Sequence, residues 1–304
     1  MADVPGYAIA TDFGSFQAAL DSKPGTLYVP PGTYNLGSGA TLNRSKQIIG
    51  CRLRNGTPST LTSSGAFVLR IADGVNYCGI EKLRFQPASN SYAIEIGTSE
   101  GHHIRSLSMQ GSGPGFIKAT GAVRRSIFEQ MVCFGGTVLG LDFSNSDQHE
   151  NCIFSNIFCS SPVVDPYHIR GRAMIIVGGA TDHTPESSYK YHFGNGSRGC
   201  AGIGVDDEGG NGGAVRAVGD SCVAVLGMLW NTNGTDSGAP PVLRAESGAK
   251  LVLLGGKRLG GEAYSVFSST TGTGSAIIML ETSGSGLKRG SSGNVKLLQD
   301  GSWS

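Results

Sequence analysis

Charge is scarce in this 304-residue chain: Asp, Glu, Lys and Arg supply 15% of it, and 24 basic against 23 acidic residues leave a net charge of +1. No basic run or stripe exists, so phosphate-driven binding of nucleic acid has no footprint. Long apolar runs are also missing. None approaches the roughly 20 residues that cross a bilayer, and Met1 to Ala10 lacks the basic start and apolar stretch of a secretion signal. The expectation is a soluble protein with no nucleic-acid partner and no membrane insertion. Neither a CxxC pair nor a G-x-S-x-G, P-loop or dinucleotide fingerprint occurs, which predicts no metal site and no cofactor. The seven cysteines, at 51, 78, 133, 152, 159, 200 and 222, are odd in number and suit a reducing compartment better than a disulfide framework.

Glycine, by contrast, is abundant at 48 residues, which points to many tight turns and away from long helices. Apolar positions repeat between Ile71 and Cys159. Ile80, Leu83 and Phe85 return as Ile104, Leu107 and Met109, then as Phe128, Met131 and Cys133, then as Phe154, Ile157 and Cys159. The steps are 24, 24 and 26, with offsets of three and five kept each time. A period of this size with strand-like alternation marks a solenoid whose repeats cannot bury their apolar faces alone. The predicted fold is all-β, a single-stranded parallel β-helix in one elongated domain covering 1–304.

Its expected parts follow along the chain. Residues 1–24 form a cap, with a short amphipathic helix over Asp12 to Leu20 presenting Phe13, Phe16, Ala19 and Leu20 on one face. Regular coils fill 25–179, beginning with a strand at Thr26 to Val29, a turn at Pro30-Pro31-Gly32 and a return strand at Tyr34 to Leu36. Later first strands are Phe67 to Ile71, Ala93 to Ile96, Phe116 to Thr120 and Leu139 to Phe143. Leu69/Ile71, Ile94/Ile96, Ile117/Ala119 and Leu139/Leu141 face inward. A corner recurs at Lys82, Ser106, Gln130 and Asn156. Residues 180–213 read as a long Gly-rich insertion, 214–281 as further coils anchored by Val223/Val225, Leu251/Leu253 and Ile277/Met279, and 282–304 as a polar tail.

The opening string, Asp12-Phe13, then Phe16-Gln17-Ala18-Ala19-Leu20-Asp21, then Gly25 to Leu36 with Val29-Pro30-Pro31-Gly32-Thr33-Tyr34, resembles the start of the pectate-lyase-like right-handed parallel β-helix superfamily. The unpaired core thiols, the Gly-rich later coils and the lack of a signal segment look most like bacteriophage tailspike or tail-fibre depolymerases. That resemblance implies a homotrimer in the virion tail that folds in the host cytoplasm and acts outside it on capsule, exopolysaccharide or O-antigen. A secreted enzyme whose signal lies outside this sequence is the alternative. The superfamily holds lyases, hydrolases, isomerases and inactive scaffolds, so the fold carries no catalytic residues with it.

Chemistry has to come from outward ladders, because stacking turns each outward position into a file. On the first strands the file reads Arg70, Glu95, Lys118, Asp142. Glu95 and Asp142 then stand two coils apart, roughly 9 to 10 Å, near the upper end of the spacing for an inverting glycosidase. Glu95 is expected to protonate the leaving oxygen and Asp142 to activate water, with Glu150 in reserve. The competing expectation is an alternating salt-bridge ladder in which Lys118 lowers the pKa of both carboxylates. Lys118, Arg70 and Arg170 would bind substrate, neutralising a uronate if the reaction is a lyase. Asp147 and His149, on the lengthened loop from Asn145 to Asn151, and His168 complete the candidates, while His102 reads as a hydrogen-bonded interior residue. His183, Tyr189 and His192 are offered as a lyase base or as sugar-stacking rings. A non-catalytic, glycan-adsorbing spike is the remaining alternative.

Overall fold

The computed structural model describes residues 7–23, 25–51, 56–134, 139–160, 165–182, 188–207, 212–230, 241–258, 268–280, 295–299 and 302–303. Strands dominate them, and the one α-helix is short. Ten strands make the front sheet: Ala40–Leu42, Phe67–Ile71, Tyr92–Ile96, Gly115–Ala119, Leu139–Phe143, Tyr167–Ile169, Tyr189–Phe193, Gly213–Val218, Leu243–Glu246 and Ser268–Thr271. Each pairs in parallel with the next, so sequence neighbours one coil apart become hydrogen-bonded neighbours in space. The remaining strands build the other walls of the same stack.

The interior is a set of continuous apolar files. Leu27, Ile48, Ile80, Ile104, Phe128, Phe154 and Ile176 follow one another in register and are all buried. Leu61, Phe85, Met109, Cys133 and Cys159 form a second file. Phe128 and Phe154 stack at 5.2 Å with Phe143 set edge-on against both, the geometry in which ring quadrupoles attract. All seven thiols are free. Burial raises Cys133 to about 12, so it acts as a small apolar filler.

Two departures from the expected inner pattern have simple causes. In the fourth coil Leu141 and Phe143, and not Leu139 and Leu141, continue the inner front files, because Leu141 pairs with Ile117 and Leu139 with Gly115. The described residues within 180–213 run as coil where an insertion was expected. Tyr189–Phe193 lies in the front sheet, while Ala180–Thr181, Arg198–Ile203 and Asp206–Asp207 pair in register in the other walls. Tyr167 and Tyr191 replace the aliphatic inner residues here. They stack at 5.0 Å, and their buried hydroxyls donate to the carbonyls of Ile157 and Gly179.

The corners explain a small part of the glycine. Lys82, Ser106, Gln130 and Asn156 all have left-handed backbone, with φ of 59, 54, 53 and 51°, and the same corner continues as Gly178, Gly204, Gly227 and Gly255 with φ of 57 to 63°. A left-handed residue with a Cβ is strained by roughly 1–2 kcal/mol, so the second half of the stack uses the residue that avoids this cost. At the N-terminal end the helix spans Phe16–Asp21, shorter than expected, and Ser15 caps it by accepting from the Ala18 amide. Ala19 and Leu20 are buried against the first coils. Gln17 exchanges two hydrogen bonds with the Thr41 backbone, at 2.8 and 2.9 Å, tying the cap to the edge of the front sheet. Lys46 closes the helix C-terminus by donating to the Ala19 carbonyl. At the other end Val295–Gln299 adds in parallel to Ala276–Leu280 and pairs antiparallel with Ser302–Trp303.

Candidate functional site

The front sheet carries its chemistry on the outside. Arg70, Glu95, Lys118 and Asp142 stand in one file, as the spacing predicts, and the file runs on through His168, His192, Arg216 and Arg244. His168 therefore joins the four-residue ladder directly. The steps from Asp142 onward are 26, 24, 24 and 28 residues, a continuation of the coil period that was present in the sequence and missed.

The charges in the first half of the file stand side by side without pairing. Among the described residues none of Arg70, Glu95, Lys118 and Asp142 forms an ion pair with another member. Lys118 leans over the Tyr92 ring at 4.7 Å, a cation–π contact that turns its ammonium away from a strict ladder. Arg70 lies over Phe67 at 5.9 Å. Burial raises the pKa of the Glu95 carboxyl and outweighs the opposing pull of Lys118 and Arg70. Lys118 does pull it down as the sequence predicts, but the net direction is reversed, because desolvation acts on the carboxylate more strongly than the cations do. Asp142 is held differently: its Oδ1 accepts a 2.6 Å hydrogen bond from the Ser144 hydroxyl.

The second half of the file holds a built histidine pair. His168 and His192 stack face to face with centroids 4.2 Å apart and planes 8° from parallel. Asp165 Oδ2 lies 2.6 Å from His192 Nδ1, and Asp165 Oδ1 accepts from the Tyr189 amide at 2.6 Å. Burial raises the Asp165 carboxyl, but the hydrogen bonds from His192 and that amide outweigh it and hold it below the usual range. His168 is pushed down to about 4, first by burial and then by the neighbouring His192, so it is neutral at pH 7. Beyond the pair, Arg216 donates to Glu246 at 2.7 and 3.1 Å.

The remaining candidates fall in three places. Arg170 follows His168 on the same side of the wall, and its Nε is buried with no hydrogen-bond partner. Asp147 is exposed on the loop, close to Gly196 and facing the Arg170 Nε across it. Glu150 lies elsewhere: its backbone pairs between Arg124 and Arg172 in a separate lateral file. His149, expected beside the ladder, is buried, accepts the Val123 amide on Nδ1 and contacts Asn145 through Nε2. Burial lowers its pKa to about 4; it staples the loop to the stack. His102 is likewise interior, bonded to the Cys78 amide and Ser99. His183 lies outside the described residues.

No family model matches the sequence, and no curated protein matches it at a meaningful level. Solved structures do. The tailspike gp42 of Acinetobacter phage vb_AbaP_AS12 superposes with a TM-score of 0.62 at 9% identity, covering 100% of this chain and 65% of its own. The tailspike of Acinetobacter baumannii phage AM24 gives 0.58 at 12%, over 92% of this chain and 54% of that one. An alginate lyase from Paenibacillus gives 0.52 at 13%, over 95% and 96%. The chain thus has the parallel β-helix fold of the pectate-lyase-like proteins, and it spans about two thirds and about half the length of the two tailspikes. Among the described residues no helix is long and apolar enough to cross a membrane.

Proposed function

We propose that the chain binds and depolymerises a bacterial surface polysaccharide, as capsule, exopolysaccharide or O-antigen, by hydrolysis on the outer face of the front sheet. The observation that carries this is Glu95: a carboxyl raised by burial despite two flanking cations, with a second carboxylate two strands along in register. Two strand spacings are roughly 9 to 10 Å, at the upper limit of the distance that leaves room for water in an inverting site. Glu95 gives its proton to the glycosidic oxygen as the bond to the anomeric carbon breaks. Asp142 takes a proton from the water whose oxygen forms the new bond to that carbon. Arg70 and Lys118 hold the chain on either side of Glu95, and Glu150, in its separate file, is left without a role in this step.

β-Elimination is favoured instead by one observation, the Asp165–His192 contact, which puts a proton on Nδ1 and leaves Nε2 as a lone-pair acceptor. Mass spectrometry of digests from a panel of capsular polysaccharides tests both. Hydrolysis yields saturated fragments, elimination yields fragments lacking one water and absorbing in the ultraviolet, and intact polymer in every digest sinks the catalytic proposal and leaves an adsorbing spike.

A homotrimer in a virion tail is part of the same proposal, supported by the two tailspike folds and by an apolar outer face. On the opposite walls the outward files change from His103, Arg105 and Glu129 to Ile127, Ile153 and Ile175 and to Val177, Ile203, Leu226 and Leu254. Ile127, Ile153, Val177 and Ile203 are 36 to 38% exposed. Side-by-side copies around an axis parallel to the stack meet at equal heights, where like apolar residues attract and like charges repel.

A further inference from the structure

We propose that Arg170 and His168, which both flank Gly194, form an oxyanion-binding subsite, one strand beyond Asp142, that selects acidic glycans through a carboxylate or sulfate substituent. It rests on the proposal that the front wall binds polysaccharide. Three observations converge on it. Arg170 makes no ion pair among the described residues, and its Nε is a buried donor without an acceptor; such a group is costly unless a ligand satisfies it. Asp147 stands across Gly196 from it without forming an ion pair.

Gly194 is the second observation. Its backbone is not in the left-handed region, so the chain does not require glycine there. An added Cβ would sit 3.5 Å from Arg170 Cβ and 3.7 Å from His168 Nε2. Both distances are ordinary van der Waals contacts, so a methyl group at 194 would fit, but it would press against the outer nitrogen of His168, which glycine leaves uncovered from that side. The third is the support behind His168. Asp165 fixes His192, and His192 stacks on His168, which sets the plane of the ring that faces Gly194. A neutral His168 with its proton on Nε2 donates to an anionic oxygen, and the Arg170 guanidinium supplies the charge. A neutral sugar offers neither interaction an anionic acceptor.

Calorimetric titration of the full chain with oligogalacturonate, dextran sulfate and unmodified dextran tests the subsite without requiring catalysis. At least one anionic probe is expected to bind at least about tenfold more tightly than dextran, and the stronger of the two tells carboxylate from sulfate. Arg170→Gln and Gly194→Ala should each remove most of that preference while the melting temperature stays within a few degrees. Equal affinity for dextran, no binding of either anionic probe, or an unchanged preference in a folded Arg170→Gln protein would overturn the proposal. Because cleavage is not measured, these outcomes are independent of Glu95 and Asp142. Anion binding with intact polymer in every digest would sink the hydrolase alone.

Discussion

Replacing Glu95 with Gln keeps the shape of a half-buried side chain and removes only its proton. If Glu95 is the general acid, turnover should fall at least about a hundredfold, the lower end of what a positioned acid contributes, which corresponds to about 2.7 kcal/mol of barrier. KM should change little, since the proton moves in the transition state and not on binding. Stability should move the other way. A carboxyl whose folded pKa lies above its unfolded value stabilises the fold when protonated and loses that contribution as pH rises through the folded pKa. Above that folded pKa the ionised wild-type side chain is therefore a burden, and there the Gln variant should melt no lower than the parent. The pH profile supplies a further check: activity of the wild type should decline on the alkaline side as Glu95 loses its proton. Reducing-end release and differential scanning calorimetry on the same samples read both quantities. Turnover within a few-fold of wild type refutes the assignment, whereas lost activity together with a lowered melting temperature indicates damage to the wall and not to the chemistry.

Asp142→Asn should cost a similar factor in turnover, measured by the same assay. His102 and His149 are buried and His168 is half-buried, and all three have pKa values of about 4. Their folded values lie below the unfolded one, so their contribution is full above about pH 6.5 and is lost as pH falls toward 4, on the order of 3 kcal/mol apiece; melting temperatures that stay flat across that window would contradict this. Gly204→Ala meets no atom within 4 Å, so its cost is backbone strain alone, about 1–2 kcal/mol, measurable by denaturant titration, while Asn156→Gly should stabilise slightly. Phe128→Ala opens the aromatic stack and should cost about 3–5 kcal/mol in the same titration.

The first half of the stack was readable because its inner files are aliphatic and aromatic and its corners bear side chains, so period and offset both show. The rhythm faded after Cys159 for physical reasons. Its in-register successor is Thr181, the inner front positions become Tyr167 and Tyr191 with polar hydroxyls satisfied by backbone, and the corner becomes glycine. None of these looks apolar in sequence, yet each occupies the same interior or turn position. The same fading kept half of the outer file from being assembled, although His168 and His192 were named as candidates. Glu95 and Asp142 were visible as an alternating charge ladder, but His168, His192 and Arg216 required the period to be carried across a stretch that reads as irregular. Asp165 had no signal at all, since it lies just outside its strand and acts through His192 and the Tyr189 amide.

Because each front strand contributes one letter to the outer file, separation between groups is counted in whole coils. Excising the coil that carries Lys118 would bring Glu95 next to Asp142 at a single strand spacing, about 4.8 Å. That is close to the gap at which paired carboxylates attack the sugar directly and keep its anomeric configuration. On a scaffold of this kind, the stereochemistry of cleavage becomes a property of loop count, open to change by deletion without altering either acid.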